Sequence, residues 1–298
     1  MTAITWGRIR EESVVVSSSH GLLSSLRFYY YLPIAFSKII MRAVRSTQHS
    51  SADIRVLSFL LITPLLYLLG FKGVVKSPFG RIVIEDRDKI RSVAHGIYKT
   101  HFCYLKDLTT VSGIRFFPII MDVGANIGDF TLALANRAGR IVAIEPGLAN
   151  FHSLEKNIAA NNISNVTALK VAAHSQEETI KLTGIGSMLH VSHFGKGENV
   201  VGLPLDVIFD KLQLGYVDLL KLDVQGHEQH VLQGMGRTLR MKRVGILVVE
   251  IHPIWGIKDR DLTSAMTSYG YNLAMEIDHG FSQPHLYFTP HTEIGSVS

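Results

Sequence analysis

Asp122, Gly124, Gly128 and Glu145 stand in an order that suits a ligand carrying a nucleoside, within the run IIMDVGANIGDFTLALANRAGRIVAIE that spans residues 119–145. Ile119 to Val123 is a short, β-rich apolar run fit for a strand buried on both faces, and the two glycines let backbone approach a ligand where a Cβ would collide. Thr131 to Asn136 has helical character, so the unpaired N–H groups at that helix's start can solvate a polar ligand. Asp122 falls at the tip of the first strand. Glu145 closes the second, Ile141 to Ile144, where a carboxylate can accept both hydroxyls of a ribose.

A dinucleotide site would read differently. Its fingerprint is G-x-G-x-x-G, with room left for a pyrophosphate. Here the turn is Gly-Ala-Asn-Ile-Gly-Asp, and Asp129 near the helix start repels pyrophosphate while tolerating a cationic or zwitterionic ligand. S-adenosylmethionine, with a sulfonium, an ammonium and no phosphate, suits this arrangement. Asp122, Gly124, Ala125, Asn126 and Gly128 are the candidates for its methionine end and Glu145 for its ribose, while Ala172 and Ala173 are small enough to pass the adenine. Two plainer readings stand beside this one: an ordinary strand-to-helix turn for the glycines, and a helix-start acid for Glu145, since Pro146 follows it.

A second cluster, Leu220 to Glu228 (LKLDVQGHE), puts Asp223 at the end of another strand, at the same sheet edge as Asp122. Gly226 permits a sharp turn and Glu228 begins a helix. Asp223 should face the pocket, where a carboxylate can position an acceptor or take its proton. His227 titrates near neutral pH, although a surface histidine at a helix start is the plainer reading. Glu250 or His252, in VVEIHP, can reach the mouth of the cleft, with His252 the better base and Glu250 anchoring a loop. His190 and His193 have metal-like spacing but no completing ligand, so no metal is expected and Gly184 to Gly197 reads as a mobile loop on the acceptor side.

These residues need a sheet to hold them. Apolar runs at Ile119 to Val123, Ile141 to Glu145, Val166 to Val171, Val217 to Asp223, Gly245 to Ile251, Tyr271 to Met275 and His285 to Thr289 alternate with helical stretches, among them Leu148 to Asn161. That alternation predicts an α/β fold, a mostly parallel seven-stranded sheet with helices on both faces and ligands beyond the strands' carboxyl ends. The 298 residues can bury a full core, and one cysteine, Cys103, excludes an internal disulfide and a cysteine-rich zinc site. A reducing, cytoplasmic setting follows.

Charge is uneven. Residues 1–121 hold 16 Lys and Arg against 7 Asp and Glu, whereas residues 122–298 hold 14 against 18. The basic front carries two apolar segments, Gly21 to Arg45 and Val56 to Phe71, the latter too short for a comfortable span and interrupted by Pro64. Residues 21–71 are therefore expected either to lie at a membrane surface or to pack on the domain. No RNA-binding signature appears, and nucleic acid is not an expected partner. The chain divides into a loosely ordered or membrane-surface extension (1–52), an apolar helix with a lead-in cap around short strands near Gly80 to Ile84 (53–118), and the ligand-binding domain (119–298).

DVGANIGDFT at Asp122 to Thr131, IEP at Ile144 to Pro146 and LLKLDVQGHE at Leu219 to Glu228 together resemble the FkbM-type family of S-adenosylmethionine-dependent methyltransferases. The resemblance implies a class I, Rossmann-like methyltransferase sheet, cofactor contacts from Asp122 through Gly128 and at Glu145, and methyl transfer to oxygen on a sugar, glycan, lipid-linked or natural-product acceptor. One departure is visible: the family pattern is D-V-E-G-x-E, and this chain has Gln225 in place of the glutamate. An amide keeps hydrogen bonding but loses charge and basicity. Asp223, His252 and Glu228 are the expected catalytic set. A nicotinamide-dependent oxidoreductase or epimerase is the alternative, since it too would hold a ribose on Glu145.

Overall fold

The computed structural model describes residues 37–291 apart from 46–49, 114–115, 185, 192–196, 257 and 280–282. Of the expected apolar segment Gly21 to Arg45, only a helix over 37–45 (α1) falls within them.

α2 (Ser51–Leu68) follows, started by the Ser50 side chain, which accepts from the Asp53 N–H. Pro64 lies inside this helix and has no N–H to give the Leu60 carbonyl, so the Thr63 hydroxyl donates to it instead at 2.7 Å. One side of α2, with Val56, Phe59, Leu60 and Tyr67, packs with Ile90, Val93, Ala94 and Ile97 of α3 (Arg87–Tyr98). Between them lies a hairpin of β1 (Gly73–Ser77) and β2 (Gly80–Ile84). α3 continues without a break into a π-helical turn, Lys99–Leu105, and then α4 (Lys106–Ser112). Wide turns of this kind are rare and gather at functional sites. The pattern near Tyr98 to Leu105 suggests short strands or a small helical cap, and the stretch is helical throughout.

The main domain alternates β3 (Phe117–Val123), α5 (Asp129–Leu134), β4 (Ala138–Ile144), α6 (Leu148–Ala160) and β5 (Val166–Leu169). A four-stranded sheet then departs from the alternation: β6 (Ala172–Ala173), β7 (Glu178–Thr183), β8 (His190–Val191) and β9 (Glu198–Leu203), in the order β6-β9-β7-β8. Part of the stretch expected to be a mobile loop is therefore paired, with Leu182 opposite Val191 and Thr183 opposite His190. After α7 (Leu205–Lys211) come β10 (Val217–Leu222), α8 (Glu228–Gln233), α9 (Gly236–Arg240), β11 (Val244–Glu250), α10 (Asp259–Ser268), β12 (Tyr271–Ile277) and β13 (His285–Pro290).

The seven-stranded sheet has the order β12-β13-β11-β10-β3-β4-β5, with β13 antiparallel to its neighbours. It is the expected class I methyltransferase architecture, and all seven expected strands are present. Its central strands are buried on both faces, Ile120, Met121, Leu219, Leu220, Leu247 and Val248 alike, which is why they read as continuous apolar runs. The order reverses between β3 and β10. At such a point the loops leave in opposite directions and open a crevice at the carboxyl ends of the strands.

Candidate active site

A cavity of 270 Å³ occupies that crevice. Gly124, Ala125 and Asn126 from the turn after β3, Glu145 and Pro146 after β4, Ala172 and Ala173 of β6, and Asp223 and Gln225 after β10 line it. Gly124 is required here, with a φ of +79°, but not to clear a ligand: a Cβ would lie 1.9 Å from the Asp223 carbonyl oxygen. The glycine lets two strand tips touch, which brings the Glu145 and Asp223 sides of the cavity together.

Glu145 is held rigidly. Its carboxylate accepts from the Asn126 and Gly147 N–H groups, both at 2.9 Å. Burial pushes its pKa up to about 7, against those backbone hydrogen bonds, which favour the charged form. A donor pair such as a ribose diol would meet a preset acceptor. Beside it, the Asn126 side-chain oxygen is buried without a partner. An unpaired buried acceptor is costly unless something donates to it. Apolar side chains of Leu182, Leu189 and Val191 face the same cavity, so the lining fits an adenosine with a polar, charged tail.

Asp122 departs from expectation. It is fully buried and absent from the lining; it accepts from Thr131 at 2.7 Å and from Lys221 at 3.2 Å. Its part is to position Lys221, whose ammonium also reaches the Gly124 carbonyl at 3.2 Å. Gly128 lies outside the lining as well, packed where a Cβ would be 2.6 Å from Leu154. Asp129 is tied to the Thr100 hydroxyl at 2.6 Å and its pKa is raised by burial.

The acid–base set is layered. Asp223 lines the cavity, whereas His252 and Glu228 are fully buried behind it. Gln225 bridges the layers, its amide nitrogen 3.2 Å from Asp223 Oδ1 and 2.8 Å from His252 Nε2. His252 Nδ1 is 2.7 Å from Glu228, and its Nε2 is 3.5 Å from Asp223. Burial pulls the His252 pKa down, but the hydrogen bond to Glu228 and the charges of Glu250 and Asp223 outweigh it, leaving it raised. The expectation that Glu250 or His252 reaches the cleft mouth is thus corrected; both are enclosed because β11 ends against β13 and the Lys99 turn. Of the two readings of His227 the surface one fails: the residue is buried and lines the cavity, 2.6 Å from His174 and stacked on His230.

Sequence reasoning missed the cations. Lys99, from the π-helical turn, lies 2.5 Å from Glu250 and 3.3 Å from Asp223. Burial would strip its proton, yet the two carboxylates hold it charged, above the ordinary lysine range. Lys221 is buried and likewise held charged by Asp122 and Asp223. Lysine inside the apolar strand LLKLDV was the available signal, since a buried charge needs a partner. Nothing in the sequence marked Lys99. Asp223, Glu250 and His252 have the spacing of metal ligands, and the Lys99 ammonium already supplies a cation to the two carboxylates among them. At the cavity edge, Arg91 is exposed, and His190 lines the wall with Trp255 stacked on it at 4.3 Å. His193 lies outside the described residues.

Comparison with known proteins follows the same outline. A family model described as methyltransferase FkbM domain matches residues 122–273. Methyltransferase sdnD of Sordaria araneosa is 29% identical over 225 residues, 61% of this chain and 84% of that protein. Hexuronic acid methyltransferase AglP of Haloferax volcanii is 26% identical over 152 residues, 50% of this chain and 61% of that protein. Among solved structures, a SAM-dependent methyltransferase from Aquifex aeolicus is similar at 12% identity and a TM-score of 0.43, over 68% of this chain and 96% of that one.

Proposed function

This chain belongs to the FkbM methyltransferase family and is an S-adenosylmethionine-dependent enzyme; on that footing we propose that its acceptor is a hydroxyl oxygen of a sugar, free or within a glycan or lipid-linked molecule. The nicotinamide alternative falls with the family assignment.

The observation that carries this reading is Asp223, a carboxylate on the cavity wall with a buried imidazole 3.5 Å behind it. When bound, S-adenosylmethionine supplies an activated methyl group on sulfur. Glu145 and Asn126 hold its nucleoside side, and the turn from Gly124 to Asn126 bounds its other end. Much of the rate then comes from alignment, because the leaving group needs no protonation. Asp223 accepts the proton of the acceptor hydroxyl. The proton then rests on Asp223, while His252, oriented by Glu228, and the Gln225 amide hold that carboxyl in place from behind. Lys99 and Lys221 fix Asp223 from two sides. Support for a sugar comes from the rim, where His190 lines the wall, backed by Trp255, and Arg91 offers a cation without an ion-pair partner among the described residues. An acidic sugar, as in the name of the AglP relative, would suit that cation.

Residues 119–298 form the transferase proper in this reading, and residues 53–118 a cap that delivers Lys99. The segment 21–71 adds peripheral membrane contact. Within it, α2 has the length and composition of a membrane-crossing helix, but its packed side fastens it along the domain.

The test is incubation of the purified chain with methyl-labelled donor and extracted glycans, followed by alkali. Alkali-stable label on a sugar is expected, and Asp223→Asn should abolish it while S-adenosylhomocysteine still binds. Alkali-labile label would mean a carboxyl ester and overturn the hydroxyl assignment.

A further inference from the structure

A second cavity, of 570 Å³, shares no lining residue with the first. Val56, Phe79 and Leu132 form its apolar part, and Arg55, Lys106 and Arg137 supply charge, with no Asp or Glu in the lining. One carboxylate lies close by: Asp53, buried, 3.4 Å from Lys106 and 2.7 Å from His101. Burial lowers the His101 pKa against that contact, so the permanent cations of the lining are Arg55, Lys106 and Arg137, of which Lys106 is the one paired with Asp53. Arg55 and Arg137 are exposed and have no ion-pair partner among the described residues. The cavity is therefore suited to an anion with an apolar neighbour.

The helix that carries Arg55 also carries an exposed apolar side. Ile54, Leu61, Ile62, Leu65 and Leu68 of α2 are exposed, Leu65 by 57%, and Leu69 just past its end by 71%. Their spacing of three and four puts them on one face, opposite the residues packed on α3. Single exposed leucines need no explanation, but a contiguous row does. Basic residues flank it, with Arg55 beside the second cavity and Lys72 beyond the helix end, both exposed. Apolar side chains with flanking cations match the boundary between acyl chains and anionic headgroups.

We propose that α2 docks on an anionic phospholipid surface, with the cavity between Arg55, Lys106 and Arg137 receiving a headgroup phosphate. This rests on the peripheral membrane contact proposed above and names the lipid class and the receiving site.

The experiment is vesicle flotation of the full chain on phosphatidylcholine with and without phosphatidylglycerol, comparing wild type, Arg55→Gln/Arg137→Gln and Leu65→Ser/Leu69→Ser. Binding of S-adenosylhomocysteine confirms that each variant is folded. Wild type is expected to float far better with phosphatidylglycerol. The arginine variant should lose about 30-fold of that partition, from two basic side chains near the surface, and match wild type on phosphatidylcholine alone. The leucine variant should lose both. An arginine variant that floats like wild type overturns the headgroup site and leaves the membrane contact standing. Wild type that floats on neither vesicle overturns both. A leucine variant that turns a dimer into a monomer without any vesicle binding assigns the face to a second copy and overturns the proposal.

Discussion

Replacing Lys99 by methionine removes the one ammonium shared by Glu250 and Asp223 while keeping the length and apolar stem of the side chain. Glu250 is only 1% exposed, and its nearest cation lies 2.5 Å away. Without it, the carboxylate keeps the Tyr104 hydroxyl at 2.8 Å and His285 at 3.6 Å, and one of its oxygens already lacks a hydrogen bond. Removing one member of a buried pair typically costs about 3–5 kcal/mol, because the other is left charged and desolvated. At about 2 °C per kcal/mol in a chain of this size, the melting temperature should fall by roughly 6–10 °C.

The pH dependence makes the reasoning specific. Burial tends to raise the Glu250 pKa, but Lys99 first, then His285 and His252, bring it well below the ordinary value. In the wild type the group therefore stabilises the fold above the ordinary carboxylate range, and loses that contribution only as pH falls through the depressed folded value. In Lys99→Met the burial effect dominates and the folded pKa rises. The variant then recovers stability as pH falls through that raised value, while the wild type does not. Thermal unfolding at pH 8 and pH 5 should show a gap that narrows on acidification. An unchanged melting temperature, or a gap that widens at pH 5, would refute the ion-pair account.

Three further outcomes follow from the same geometry. Glu145 titrates near 7 through burial, and hydroxyl donors favour its charged form, so calorimetric affinity for S-adenosylhomocysteine should weaken as pH falls from 8 to 6; Glu145→Gln should lose about 10- to 100-fold at pH 8 and flatten the profile. Gly124→Ala forces a Cβ within 1.9 Å of the Asp223 carbonyl at a φ of +79°, and should lower stability by about 2–4 kcal/mol in denaturant titration, separating the two strand tips. Gln225→Glu puts a charge beside His252 Nε2, raising its pKa further, so the acid limb of kcat/KM should move to higher pH with little change in cofactor affinity.

Strand positions and the main glycine turn were legible because they depend on local signals: continuous apolar runs for strands buried on both faces, and glycine where φ is positive. Glu145 and Asp223 were legible for the same reason, each standing one residue past an apolar run. Position relative to a cavity is a tertiary property, and there the reading slipped. Asp122 and Asp223 end neighbouring strands in equivalent sequence contexts, yet one is sealed by Thr131 and Lys221 and the other faces the cleft. The small sheet around β7 and β9 was missed because strands such as ETIKLT and ENVVGL alternate short apolar and polar steps like a surface loop. Lys99 was beyond reach, since its role depends on a π-helical turn joining two helices outside the family match.

The glutamine at 225 gains its meaning from those cations and their partners. Asp223 already stands near Lys99 and Lys221, with Glu250 sharing Lys99 and Asp122 sharing Lys221. Two ammonium groups thus serve three carboxylates, and Glu228 adds a fourth acid held by His252. A glutamate at 225 would place another negative charge within 3.2 Å of Asp223 and 2.8 Å of the imidazole, repelling the first and raising the pKa of the second further. The amide instead donates to both neighbours at no net charge. Asp223 then keeps a hydrogen-bonded oxygen toward Gln225 while its carboxylate stays on the cavity wall. The departure from the family pattern therefore keeps the hydrogen bonds to Asp223 and His252 while adding no charge to a cluster already rich in carboxylates.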